Sequence, residues 1–461
     1  MKKWCILATL LLGLAVRLAT TAAPGNEDMR DHQIWGAWAV EQGMTRAYVY
    51  EDSDYLEKLY FKWNHIPRAA TRTSVPTALG VLDHVPDYPP LGVYILGASA
   101  WLGKTVNHGR LQQGPVLNAC LNLVPFLCGL GIVGVCWSFS RRHGMEFAWF
   151  PLALFWLNPA LILHSPIHGY VDPAYAFFGL CSLVALYEKK FPLAALTLAA
   201  ACLTKPQAVL LLPIAALVLW MERNGPELRR TLLSFVLVLL LPFVPFIAAS
   251  RFLAAARGIS QVASLDYLSS NQVNFWWLMN WVQGAVAGGS LADPVTIVRI
   301  ANPASLGFLG LRIAAATAAL GLTVLNLRWL YQELRRGNRM AIFWSAAIQV
   351  YVFTSVSLYP KENHLYGFFV YLLPLLFLAK RQIVAAYAAL SLVFGMNLFL
   401  FDGFGMGWER PGHALRMLLG FDLTVLVAAL NVAFFVWLMT RPRWLFGLTA
   451  CETVPADRNG N

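Results

Sequence analysis

Charge is what this sequence has least of. Only 13% of its 461 residues are Asp, Glu, Lys or Arg, where a soluble domain carries about a quarter. That scarcity argues against a chain with water on every side. Cysteine is missing from the long polar stretches. Of Cys5, Cys120, Cys128, Cys136, Cys181, Cys202 and Cys451, six lie in apolar runs and no CxxC occurs, so neither a disulfide framework nor a zinc site is supported. The short alternating segments of a membrane barrel are absent too, and no repeat or low-complexity tract stands out. What is abundant is apolar: 58% of the chain, in runs long enough to cross a bilayer that recur along almost its whole length. The expected fold class is an all-α polytopic membrane protein with about 12–13 transmembrane helices.

The net charge of +11 resides largely in short links between those runs, among them Arg141-Arg142-His143, Lys189-Lys190, Arg335-Arg336 and Lys380-Arg381. This is the positive-inside pattern, so the excess describes topology rather than nucleic-acid binding. The first run, to Thr20, ends in a stretch resembling a signal-peptide cleavage region. Arg17 within it fits better a retained helix whose Arg faces protein or the interface. Residues 21–88 then form a long first external loop holding ten of the 24 acidic residues, interleaved with Trp and Tyr. That alternation suits amphipathic helices lying in the interface plane. The next two runs, roughly 91–102 and 115–138, return the chain to the wrong side if both cross. Either one of them is re-entrant or the chain breaks near Pro125.

An acid among membrane segments is costly and needs a reason. Asp31 is the expected general base. Trp35 and Trp38 follow at i+4 and i+7, placed to bind a sugar face and to exclude water from the carboxylate. Asp28 is expected to cap the helix that starts near Met29. Asp52-Ser53-Asp54 matches a metal-binding DxD pattern, but in so acidic a loop it reads more simply as solvated. His164 and His168 lack a third convincing ligand, so no metal or other cofactor is expected. Asp172 precedes Pro173, the favoured residue of a first helical position, and serves as a cap, a substrate contact or both. Lys205, in Thr204-Lys205-Pro206-Gln207, is a lone charge at a break between apolar runs and reads as a phosphate seat. Asn274 opens an aromatic interfacial stretch. Lys361, Glu362 and His364 make a dense polar cluster suited to neutralising a phosphate.

Taken in order, these breaks resemble the GT-C glycosyltransferases, multi-spanning enzymes that use polyprenyl-phosphate sugars. The residues that carry the likeness are Asp31 with Trp35, Trp38 and Ala39, Tyr88-Pro89-Pro90, and Asn158-Pro159 followed by His168-Gly169-Tyr170-Val171-Asp172. They continue with Thr204 to Gln207, Asn274 with Trp276, and Lys361-Glu362-Asn363-His364-Leu365-Tyr366. The match spans roughly residues 1–380, and 381–461 form C-terminal helices and a short tail. Tyr170 stands where the family often has Gln, and Lys361 where it often has His. The resemblance implies a GT-C-like fold and an inverting transfer of a hexose of the mannose or glucose class. The donor is a lipid-phosphate-linked sugar, and the acceptor is a hydroxyl on a glycan, lipid or protein at the external face of a cell membrane. It implies Asp31 as catalytic base, and substrate contacts at Trp35, Trp38, Tyr88, His168, Asp172, Lys205, Gln207, Asn274, Lys361, Glu362 and His364. The alternative is a flippase or transporter of lipid-linked sugars, which predicts an internal pseudo-symmetry that the two halves lack.

Overall fold

The structure, a computed structural model, describes residues 2–48, 86–222, 225–260, 267–287, 289–290, 293–297, 306–378 and 380–440. It is helical throughout, and the bridges at Ser270, Asn271 and Lys361 are the only strand-like pairing among the described residues. The helices are α1 (Lys2–Thr20), α2 (Glu27–Glu41), α3 (Pro90–Val106), α4 (Pro115–Arg142) and α5 (Trp149–Trp156). After a bent continuation, Pro159–Ile167, come α6 (Asp172–Tyr187), α7 (Phe191–Thr204), α8 (Leu212–Glu222), α9 (Gly225–Leu240) and α10 (Phe252–Ser260). The last are α11 (Phe275–Val286), α12 (Leu306–Arg335), α13 (Ala341–Val356), α14 (Tyr366–Leu376), α15 (Arg381–Asp402), α16 (Arg410–Arg416) and α17 (Leu423–Thr440).

Among the described residues six helices are long and apolar enough to cross a membrane, seven with the bent pair, and four shorter apolar helices accompany them. The sequence expectation of 12–13 spans counts shorter apolar runs as crossings as well. The run at 91–102 is the clearest case: it forms α3, which stays at one end of the bundle. Its start abuts the last residue of α7, since a Cβ on Gly92 would stand 2.5 Å from the Thr204 carbonyl. Its far end abuts the first turn of α4, where a Cβ on Gly103 would meet Leu117 at 3.1 Å. Along its length it pairs with α2: Gly36 lies on the Leu96 carbonyl and Gly97 on Ala39. α2 and α3 are therefore two helices laid across one end of the bundle, which removes the mismatch in sidedness.

The opposite end is where the basic links gather. Arg142 pairs with Glu188 at 2.7 Å, Lys189 with Glu222 at 3.0 Å and Arg339 with Glu222 at 2.7 Å. Between the ends, α4, α6, α7, α13, α14 and α15 enclose the main core, built on residues such as Leu180, Trp344, Phe369 and Phe394. Arg17 of α1 faces protein: its guanidinium lies 4.5 Å from the Trp156 ring centre. A separate small core holds α2 to α3 through Met29, Trp35, Trp38, Val93 and Leu96. The DxD residues Asp52 and Asp54 lie outside the described residues.

Candidate active site

The site is assembled at the end of the bundle that carries the acids, from α2, the loops 168–172 and 204–207, the 357–365 segment and the end of α15. Its first element is α2. Asn26 is the N-cap, its side chain accepting from the Met29 amide, and Glu27 and Asp28 fill the first turn. That corrects the expectation for Asp28, which does not cap. Its carboxylate instead accepts from Lys361 Nζ at 3.1 Å and from the Asn363 amide at 3.2 Å. Burial alone would raise the proton affinity of Asp28. Lys361 outweighs it, aided by His32 and Lys205, and holds the carboxyl at about 2. The same partnership pushes Lys361 well above the usual lysine range.

Asp31 lies one turn further along the same face. It is half-buried and receives no hydrogen bond from the described residues. Burial, then the negative charges of Asp28, Asp87 and Glu27, raise it to about 8, against the opposing pull of Lys361. Two carboxylates three residues apart are thus split in character: one charged and paired with Lys361, one with high proton affinity and no hydrogen bond from the described residues. A pair driven apart in this way marks out acid–base roles.

His32 went unnoticed in the sequence, yet it ties α2 down. Nδ1–H donates to the Gly169 carbonyl at 3.3 Å, and Nε2 accepts from the Tyr88 hydroxyl at 3.1 Å. Burial lowers it to about 4, which keeps it neutral. Tyr88 is thereby placed, though it is buried and its ring faces Lys205 Nζ at 5.5 Å.

Several expected substrate contacts are structural. Trp38 is 1% exposed and donates its indole N–H to the Arg46 carbonyl, and Trp35 packs edge-on against Tyr88 at 5.4 Å. Both fill the small core between α2 and α3, because α2 must bury its apolar face on α3 and an indole brings the largest area to do so. Neither offers an open face for a sugar ring. Asn274 is fully buried, caps α11 and donates to the Thr354 carbonyl. His168 is fully buried and donates from Nε2 to the Gly403 carbonyl at 3.1 Å. Asp172 is the first residue of α6 and not its cap. Both of its oxygens accept from Lys205 Nζ at 2.9 Å, with His164 Nε2 at 3.5 Å. Lys205 is 2% exposed, so the open phosphate seat expected there is closed by Asp172.

The third polar segment does face the site. The Lys361 side chain is 34% exposed and lies beside the Asp28 carboxylate. The Lys361 amide donates to Nδ1 of His364 at 3.2 Å, which leaves the proton on Nε2, 2.8 Å from the Gln207 amide. Turning that amide gives its otherwise unpartnered, buried Oε1 to Nε2–H. Gln207 and His364 therefore brace each other. Glu362 is buried and accepts from the Tyr170 hydroxyl at 2.5 Å. Burial, with Asp402 and Asp28 adding to it, raises Glu362 to about 8.

Asp402 and Asn26 are the other residues the sequence reading missed. The Asn26 amide donates to Asp402 Oδ2 at 3.0 Å and to the Tyr170 hydroxyl. An Asn directly ahead of Glu-Asp is a readable cap signal, and an acid closing an apolar run is a readable anomaly. Among the described residues no group of three His, Cys, Asp or Glu side chains comes together in a way that could hold a metal. Compared with known protein families and with curated proteins, the chain matches none.

Proposed function

We propose that this protein is an inverting glycosyltransferase of the membrane, moving a hexose from a polyprenyl-phosphate donor to an acceptor hydroxyl at the external face. One observation carries the reading: Asp31, half-buried and of high proton affinity, one helical turn from an Asp28–Lys361 ion pair, on a helix laid across the end of a membrane bundle. In the reaction Asp31 takes the proton of the acceptor hydroxyl as its oxygen bonds to the anomeric carbon. The bond from that carbon to the phosphate oxygen breaks, and its electron pair leaves with the polyprenyl phosphate. Base and leaving group lie on opposite faces of the sugar, so the configuration inverts, as on the base side of inverting hydrolysis. Lys361 is the cation placed to meet the phosphate, exchanging Asp28 for a more highly charged partner.

The test is to incubate the purified protein with a panel of labelled polyprenyl-phosphate hexoses and follow release of polyprenyl phosphate. Release is expected with a mannose- or glucose-class donor and is expected to persist in EDTA. A strict Mn²⁺ or Mg²⁺ requirement would instead point to Asp52 and Asp54. Release from no donor in the panel would remove the proposal.

The pH profile is a second check. The base form of Asp31 is its deprotonated form, so the rate is expected to rise with pH and reach half its maximum near the raised value of about 8. Asp28→Asn removes the nearest negative charge, so its rising limb is expected at lower pH. A profile flat from pH 6 to 9, with chemistry limiting, would count against Asp31 as the base.

A further inference from the structure

We propose that Asp402, together with the glycine turn that follows it, is a positioning residue: it clamps the first turn of α2 and so fixes where Asp28 and Asp31 stand. The proposal rests on the transferase reading for its kinetic consequence and on geometry alone for the clamp. It brings into the site a segment, the end of α15, that lies beyond the residues carrying the family resemblance.

Three contacts converge on Gly25 and Asn26, and a fourth ties them back to the turn. The Asp402 carboxylate accepts from the Asn26 amide at 3.0 Å. The Met406 N–H donates to the Gly25 carbonyl at 2.6 Å, and the Asn26 N–H donates to the His168 carbonyl at 3.1 Å. His168 closes the loop by donating to the Gly403 carbonyl, with its Nδ1 3.9 Å from Asp402. The turn is built for this approach. Gly403, Gly405 and Gly407 all have positive φ, at 55°, 98° and 83°, and a Cβ on Gly405 would stand 2.6 Å from the Gly25 carbonyl oxygen. Only a glycine lets the two backbones meet there.

Asn26 has no spare donor. One amide hydrogen goes to Asp402, the other to the Tyr170 hydroxyl, and its Oδ1 accepts from the Met29 amide. Rotating that side chain therefore breaks the cap and both cross-links together. Asp402 is 19% exposed and pairs with no Lys or Arg among the described residues, so its charge is not consumed in an ion pair. It lies against the N-terminus of α2, held there by the Asn26 side chain. Asp28 and Asp31 stand two and five residues beyond the clamped Asn26, so a shift of the first turn moves both.

The test uses the full-length protein in detergent and the variants Asp402→Ala, Asp402→Asn and Gly405→Ala. Amide exchange over residues 25–40 is read beside steady-state transfer, with α13 as internal control. Asp402→Ala and Gly405→Ala are expected to exchange at least about tenfold faster over the first turn of α2, with α13 unchanged, and to lose about tenfold or more in kcat at a donor KM within about twofold, as displacement of a catalytic group does. Asp402→Asn keeps an acceptor oxygen toward Asn26 and is expected to restore most of both. Unchanged exchange in the two disruptive variants would overturn the clamp, as would loosening that spreads equally to α13 or faster exchange with undiminished kcat. If the wild-type protein transfers no sugar, local loosening of α2 still upholds the clamp, and only the transferase reading falls.

Discussion

Asp31→Asn is expected to reduce sugar transfer by about 10²–10⁴-fold, the usual contribution of a positioned general base, while leaving the protein folded and extractable in detergent. The separation of the two effects follows from its surroundings. Asp31 receives no hydrogen bond from the described residues. Burial and neighbouring acids already disfavour its charge, so an uncharged amide of the same shape breaks no hydrogen bond from the described residues. Initial rates of polyprenyl phosphate release and the unfolding midpoint of the same sample decide the matter. Full activity in the variant would eliminate Asp31 as the base. Asp28→Asn is the contrasting case, because it leaves Lys361 without its carboxylate partner at 3.1 Å.

Lys205→Met is expected to be a stability mutant before it is a binding mutant. Its ammonium is 2% exposed and the Asp172 carboxylate is fully buried, with both carboxylate oxygens 2.9 Å from Nζ. Removing one partner strands the other charge away from water, which costs about 3–5 kcal/mol. Asp172→Leu is expected to cost a similar amount. The double variant is expected to recover most of the loss, because a buried pair and a well-packed apolar pair are often close in energy. Unfolding in detergent across the four proteins measures this directly. Normal stability with a raised donor KM in Lys205→Met would return Lys205 to the role of phosphate seat.

The membrane class and the acid-bearing site were legible in the sequence for simple reasons. Apolar runs and basic links are composition signals that need no partner to be read. The polar breaks at Asp31, Asp172, Lys205 and Lys361 stood out because charge is expensive there, and the structure brings Asp172 and Lys205 into contact and Lys361 beside α2. What was not legible was how each charge is spent. Lys205 reads the same along the chain whether it awaits a phosphate or already holds Asp172, 33 residues away in sequence. Trp35 and Trp38 follow Asp31 at helical spacing, but the side of the helix they serve is decided by α3, more than fifty residues later. Along the chain Asp28 reads as a cap, since nothing local announces Lys361. Asp402 escaped because its partner, Asn26, lies 376 positions away.

The lie of α3 bears on how the chain is made. Its apolar run, Leu91–Leu102, is followed by Lys104 in its last turn and by Arg110 in the link to α4. What keeps it flat is its close backbone seat on α2, Gly36 against Leu96 and Gly97 against Ala39. The place of α3 at this end of the bundle is therefore a matter of packing against α2 as much as of hydropathy. A bulky residue at Gly36 would meet the Leu96 carbonyl and Ala100 and so push α3 off this seat.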